Sequence, residues 1–348
     1  TVCFFLSFFN CFAQKIEMLW PAFAGKTYDF IIFQGDKQVT AQQDTIAKDG
    51  SFVLSVPQEY APYTGMCRWL ITGTTEGGGL DMAIPGYDFS VTCLNDKPDN
   101  ANITYTGFDA VNELNRLHGI QQVILEKFET MSKATQLYNK KHKLYKKFEK
   151  EKEVQVQAYN AFQKDLEQNT NFNARFLPIV NLTKGIAPKL YLDETDKFNE
   201  ITRYFAYDLD IEALYTSGHW SGIIGSWVQI HLNVIKDDQV LYDQFTALTQ
   251  RIKHKKQYTD LTGKVTYYMK TYGMDKQIEL ITPVVVHSGK ITEYVGVMEL
   301  YINALTGLQA PDLVITEHIG KLEDHNHKTT VLKSSDLATD AYKNSLLV

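Results

Sequence analysis

At 348 residues, the chain is longer than one typical hydrophobic core needs, so two or three domains are expected. Hydrophobic residues make up 44% of it and charged residues 22%, which is ordinary for a folded globular protein. The net charge of −6 gives no general case for nucleic acid or an anionic membrane surface as a partner.

Residues 1–13 predict the end of a secretory signal peptide. An apolar stretch rich in Phe precedes Ala13, a small residue at a plausible cleavage point before Gln14. The stretch is too short to span a bilayer. It has no initiator Met and no basic segment before it, so we expect a longer precursor. Lipoprotein processing at Cys11 and a hydrophobic first strand are the alternatives, and export is the favoured interpretation.

Residues 14–106 predict a β-sandwich or a small barrel. Short apolar runs alternate with Gly, Pro and Asn, as in all-β domains. Asp49-Gly50 before the alternating run 51–56 indicates a hairpin. Further strands are predicted at 28–33, 67–73, 80–84, 87–94 and 103–105. The 67–94 region reads as a meander, with turns at 77–79 and Pro85-Gly86.

If the signal peptide ends at Ala13, only Cys67 and Cys93 remain in the mature chain. They do not form a Cys-x-x-Cys, and no other pair of cysteines does either. A disulfide between them is conceivable in an exported protein. The meander, however, would place them two strands apart, roughly 9–10 Å from strand spacing alone, which is beyond bridging range. Buried free thiols are therefore favoured.

Residues 107–305 predict a helical domain, because apolar residues recur at steps of three and four. Asp109 is the expected cap of the first helix, with Gly107 as the hinge. Lys140 to Lys152 form a basic run that alternates with Glu residues from 149. A solvated helix face with i,i+4 ion pairs is favoured over a nucleic-acid patch. Helical spacing covers 111–128 and 138–166, then 171–183, 195–205, 211–215, 223–234, 240–252, 261–272 and 291–305, ending at Gly307.

Two groups of polar residues invite a chemical interpretation. The first is an acidic and His-rich segment, in which a solvated turn is favoured over a metal site. Ser221 and His231 could be combined with an acid into a triad, but no Gly-x-Ser-x-Gly is present and core packing explains them. No catalytic, cofactor-binding or metal-binding residue is assigned. The residues of the acidic and His-rich segment are Glu317, His318, Glu323, Asp324, His325 and His327.

The last 42 residues carry the most informative pattern of the chain. Gly307-x-x-Ala310-Pro311-Asp312 leads into an apolar strand that we expect to begin near Asp312, because Pro311 holds Ala310 extended. A polar segment, a Leu-x-x-x-Asp-Leu step at 332–337 and an apolar strand at 346–348 follow. This order resembles the entry to a thioredoxin-like (redoxin) domain of the TlpA-like envelope thiol–disulfide oxidoreductases. An ordinary interdomain turn and edge strand are the alternative.

The resemblance implies a multidomain α+β protein with four segments. They are a signal-peptide remnant (1–13), a β-sandwich-like domain (14–106), a helical domain (107–305) and the start of a thioredoxin-like α/β domain (306–348). It also implies a periplasmic enzyme that exchanges disulfides with client proteins and draws reducing equivalents from a membrane thiol carrier. Neither nucleic acid nor more than a peripheral membrane contact is expected.

The Cys-x-x-Cys of that family would lie beyond Val348, so these residues are expected to be inactive alone. A non-catalytic envelope module that binds a partner or a glycan is the second hypothesis. A peroxiredoxin-like protein with one peroxidatic Cys is the third.

Overall fold

The protein has a mixed α+β fold, seen in a computed structural model that describes residues 14–74, 78–95, 102–303, 313–318 and 327–332. The predicted signal peptide, residues 1–13, lies outside the described residues. Eight strands come first along the chain: β1 (Lys15–Leu19), β2 (Thr27–Gln34), β3 (Lys37–Thr45), β4 (Ser51–Ser55), β5 (Thr64–Ile71), β6 (Gly79–Pro85), β7 (Phe89–Cys93) and β8 (Ile103–Thr106).

These strands form two four-stranded sheets, in the orders β4-β1-β7-β8 and β3-β2-β5-β6. All neighbours are antiparallel except β1 and β7, which run parallel. The inner faces pack against each other: Phe52 of one sheet lies 4.9 Å from the ring of Tyr28 and 5.5 Å from that of Trp69 in the other. Alternating inward side chains therefore build the core that the sequence pattern predicted.

The predicted hairpin at Asp49-Gly50 is wrong, although the turn and the strand after it are present. β3 and β4 belong to different sheets, and β4 pairs with β1. The chain crosses over at Ile46, which is buried in the core and exchanges backbone hydrogen bonds with Gly25 and Lys26. A turn motif specifies a reversal of the chain, whereas the burial of Ile46 decides which sheet the next strand joins.

The predicted meander over 67–94 is also wrong. β5 and β6 pair as expected, but β7 leaves for the other sheet and pairs with β1 and β8. A strand with alternating apolar residues can turn its apolar side to the core in either sheet. The alternation alone therefore does not determine which sheet the strand joins.

Two long antiparallel helices follow, α1 (Glu113–Leu137) and α2 (Tyr145–Gln168). A 3-10 turn at Asp109–Asn112 precedes α1, and the side chain of Asp109 makes no capping hydrogen bond, so the predicted cap is wrong. The helices pack through a cluster near the start of α1 and the end of α2, formed by Leu117, Ile124, Tyr159, Phe162, Leu166, Ala174 and Leu177.

Five shorter helices continue the chain: α3 (Phe172–Thr183), α4 (Glu194–Tyr207), α5 (Ile211–Tyr215), α6 (Trp220–Ile230) and α7 (Asp238–Arg251). A π-turn at His231–Ile235 extends α6. The loop after α5 holds the helices on the sandwich, since Thr216 O accepts from Met66 N at 2.9 Å and Tyr215 O accepts from Gly35 N at 2.7 Å. These helices were predicted to within a few residues.

Residues up to Lys253 form one compact unit, and residues from His254 a second. The domain boundaries predicted at 106/107 and 305/306 stay predictions. The second unit holds α8 (Lys255–Thr271), α9 (Asp275–Val286), a 3-10 turn at Gly296–Met298 and α10 (Glu299–Asn303).

Sequence reasoning missed α9, because Pro283 and the β-branched run after it argue locally against a helix. Ile278, Ile281 and Val285 are nevertheless buried, so packing of this face outweighs the local preference. The helix predicted over 291–305 is wrong in its first part, which is irregular up to the 3-10 turn at Gly296.

The tail contains a two-stranded antiparallel sheet of β9 (Leu313–His318) and β10 (His327–Leu332). Leu313 pairs with Leu332, and His318 with His327. The strand predicted near Asp312 is therefore present, whereas Gly307, the step at 333–337 and the strand at 346–348 lie outside the described residues.

Candidate functional site

Cys67 and Cys93 are free thiols buried in the sandwich core. Cys67 lies on β5 and Cys93 on β7, in different sheets, so the preference for free thiols over a disulfide is confirmed for a reason other than the meander. Burial raises the pKa of Cys67 well above the usual range of a thiol, and the charge of Asp81 adds to the rise. Because thiol–disulfide exchange needs an accessible thiolate, Cys67 is chemically inert in the folded protein.

Ser221 and His231 do not form a catalytic pair. They lie ten residues apart on α6 and the π-turn, which corresponds to roughly 15 Å along a continuous helix. The Nε2 atom of His231 lies 3.1 Å from Oε1 of Gln244, an oxygen that also accepts from Trp227 Nε1 at 3.2 Å. Burial lowers the pKa of His231 to about 4, so the imidazole is neutral at pH 7. His231 is therefore a core residue, which is the interpretation that the sequence analysis favoured.

The acidic and His-rich segment lies mostly outside the described residues. Within the part of the chain that the structure describes, no group of three or more His, Cys, Asp or Glu is placed to hold a metal ion. His318 and His327 sit opposite each other on β9 and β10.

A cleft of about 420 Å³ lies where the sandwich meets the helices. β6 and β8, each the last strand of its sheet, border one side of it, while α3 and the start of α1 border the other. Four consecutive residues of β6 (80–83) and three of β8 (103–105) line it, so the main chains of both edge strands reach the cleft. Its other lining residues are Met66, Val111, Asn112, Leu114, Asn115 and Asn173.

The cleft presents uncharged polar groups. Its one acid, Asp81, is neutralised by a bidentate pair with Arg68, with Nε–Oδ1 at 2.6 Å and Nη2–Oδ2 at 2.8 Å. Burial raises the pKa of Tyr105 to about 12, so its phenol stays protonated at every physiological pH. Asn112 and Asn115 expose their side-chain amides.

Asn173 contributes a side-chain amide to this cleft. The residue is only 2% exposed, and its Nδ2 donates to Ala110 O at 2.8 Å. That bond orients the amide, and Oδ1 accepts no hydrogen bond from the described residues. Asn173 Oδ1 is therefore available as an acceptor for a ligand.

A second cavity, of about 330 Å³, lies among α3, α4, α6 and the π-turn. Its walls are mainly apolar and aromatic, with a few polar groups; they include Leu182, Phe198, Ile201, Phe205, Ile223, Trp227, Ile230 and Val234. Sequence reasoning identified neither cavity, since the lining residues come from separate elements. The only local signal was the aromatic-rich character of 219–231.

No family model, curated protein or solved structure matches the chain. Within the described ranges, no helix is both long enough and apolar enough to cross a bilayer. The described residues therefore define a mixed α+β protein with two N-terminal sheets, a helical region and a polar cleft between them.

Proposed function

We propose that residues 1–348 are the accessory, non-catalytic region of an exported, periplasmic thioredoxin-like thiol–disulfide oxidoreductase. One observation carries the proposal. β9 begins at Leu313, directly after Ala310-Pro311-Asp312 in the sequence, and pairs antiparallel with β10. This is the order of elements that the resemblance to a TlpA-like redoxin domain implies.

The cysteines support an accessory role. Thiol–disulfide exchange needs a low-pKa thiolate, which helix N-termini provide, and a second thiol close by. Cys67 and Cys93 lie on strands in different sheets and are both buried. Disulfide exchange with client proteins, fed by a membrane thiol carrier, would use a Cys-x-x-Cys outside these residues.

The proposal predicts that residues 14–348 do not reduce insulin with dithiothreitol as the electron donor above the rate with no protein. Without denaturant, a thiol reagent is expected to label neither Cys67 nor Cys93; in guanidinium it labels both. Turnover by residues 14–348 would contradict the accessory role. A longer polypeptide read from the gene is expected to gain activity through a Cys-x-x-Cys shortly after Val348; a stop codon at that point would end the proposal.

A non-catalytic binding module is the second candidate, and the polar cleft favours it. The neutral amides of Asn112, Asn115 and Asn173, a protonated phenol and apolar patches suit a neutral, polyhydroxylated ligand such as a glycan. Such a ligand offers both donors and acceptors and carries no charge to desolvate.

This second proposal predicts that a neutral oligosaccharide selected on a glycan array binds residues 14–348 and that changes in the cleft weaken it. Asn112 makes no capping hydrogen bond. The double variant Asn112→Ala/Asn115→Ala therefore removes two amides that would bind the ligand and leaves the capping of α1 unchanged. Calorimetry is expected to show a loss of roughly tenfold or more in affinity. Asn160→Ala on the exposed face of α2 is the matched control and should bind normally. Equal affinity of all three proteins, or no bound glycan, would exclude this function.

A further inference from the structure

The tip of the α1–α2 hairpin concentrates positive charge in a chain that is negative overall. We define the hairpin tip as residues 137–148, the last residue of α1, the connecting segment and the first residues of α2. It contains five lysines and no acidic residue, whereas the whole chain carries −6. The lysines are Lys140, Lys141, Lys143, Lys146 and Lys147.

These lysines are not neutralised by the glutamates that follow them. Among the described residues, none of the five makes an ion pair. Glu151 and Glu153 instead accept hydrogen bonds from Gln155 and Gln157, each at 2.7 Å. The basic run is thus solvated, as expected, but the predicted i,i+4 pairing of lysine with glutamate is wrong.

The hairpin tip lies far from the core that holds the two helices. The last buried residue of α1 is Ser132 and the first of α2 is Gln155, with none between them among the described residues. From Ile124, the last apolar core residue of α1, the helix runs thirteen residues to Leu137, or about 20 Å. The described distal part of the hairpin therefore contributes no buried side chain to a core.

Apolar groups accompany the charge. Leu137 is 83% exposed and Tyr138 is 44% exposed. The Tyr138 ring lies 4.4 Å from that of His142 and 5.6 Å from that of Phe148, so the aromatic residues are already arranged in a cluster. Lysines around exposed aromatic and aliphatic side chains form the combination that binds the interface of an anionic bilayer.

We propose that the hairpin tip docks on the surface of an anionic phospholipid bilayer. The ammonium groups contact lipid phosphates, while Leu137 and Tyr138 enter the headgroup layer. A nucleic acid would use the lysines equally well but would leave Leu137 in water, whereas a bilayer buries it. This contact is peripheral, it goes beyond the proposed function, and it holds whether or not the chain belongs to an oxidoreductase.

The test is co-sedimentation of residues 14–348 with vesicles of phosphatidylcholine mixed with phosphatidylglycerol. We expect binding to these vesicles, none to pure phosphatidylcholine, and weaker binding as salt is added. The variant Lys140→Glu/Lys141→Glu/Lys143→Glu is expected to lose roughly a hundredfold in affinity.

The chain offers a matched control at a second exposed basic cluster. Lys253→Glu/Lys255→Glu/Lys256→Glu makes the same change in net charge in a segment outside residues 137–148. It should bind vesicles nearly as well as the unchanged protein. Equal losses in the two variants would show an effect of net charge alone and would overturn the proposal.

Two more measurements distinguish a bilayer from other anions. Leu137→Ser should weaken binding to vesicles and leave binding to an oligonucleotide unchanged. In the variant Tyr138→Trp, the added tryptophan should report insertion into the bilayer. Its emission, obtained by subtracting the spectrum of the unchanged protein, is expected to shift to the blue when anionic vesicles are added. Tighter binding to the oligonucleotide than to vesicles, or no blue shift, would refute membrane docking. Circular dichroism of every variant is expected to show that the fold is retained, since no substituted side chain is buried.

Discussion

At the scale of single residues, Gly50 shows how a local signal acquires its full meaning from the tertiary structure. Its φ is +84°, in the left-handed region that favours glycine. Its carbonyl accepts a hydrogen bond from Trp20 N at 2.8 Å. A Cβ atom at this position would lie 2.4 Å from Pro21 Cα, so the turn packs closely against the backbone that follows β1.

Gly50→Ala is therefore expected to lower the free energy of unfolding by about 3 kcal/mol or more, since backbone strain and a clash with main chain combine. Gly25→Ala is the matched control, because Gly25 has a similar φ of +78° but no atom within 4 Å of the added Cβ. It should cost only about 1 kcal/mol. Urea unfolding of both variants measures the difference, and equal losses would show that the contact with Pro21 is unimportant.

At the scale of elements, a buried amide pair joins α1 to α3. Gln121 Nε2 donates to Asn181 Oδ1 at 2.8 Å, and Asn181 Nδ2 donates to Gln121 Oε1 at 2.7 Å. Gln121 and Asn181 are 1% and 4% exposed, so water does not replace a lost partner easily. The pair therefore specifies how the helices align as well as stabilising them.

Replacing one of the two amides should lower the free energy of unfolding by more than half of the loss caused by replacing both. Gln121→Leu and Asn181→Leu are each expected to destabilise the protein by about 1–3 kcal/mol, because each leaves a buried amide unpaired. The double variant should lose clearly less than the sum in urea unfolding. Gln122→Leu, at the exposed neighbouring position, should change stability by about 0.5 kcal/mol or less. Additive losses would mean that the two amides act independently.

At the scale of the whole molecule, α1 links the two surfaces that we propose to be functional. Asn112, before its first turn, lines the polar cleft, and Leu137, its last residue, belongs to the hairpin tip. Twenty-five residues of helix separate them by about 37 Å. A bilayer at the tip and a ligand in the cleft would therefore not compete, and the vesicle and glycan experiments are independent of each other and of the insulin assay.

Much of the local structure was predictable from the sequence, because strand and helix periods depend on neighbouring residues. The alternation around Phe52 marked β4, and the steps from Leu117 to Ile124 marked α1. The candidate cleft was not predictable. It combines Asp81, Tyr105 and Asn173, which lie on three elements, and no local pattern records that they meet.

The sequence by itself determined most of the segments that become strands or helices, that Cys67 and Cys93 are unsuited to redox chemistry, and where lysines accumulate. Only the tertiary structure decided that β4 and β7 join β1 in one sheet and that Asp81, Tyr105 and Asn173 line one cleft. It also decided that the five lysines of the hairpin tip make no ion pair among the described residues. The reason is physical: alternation and helical spacing state which face a residue turns inward, whereas pairing, desolvation and exposure depend on residues that are distant in the chain.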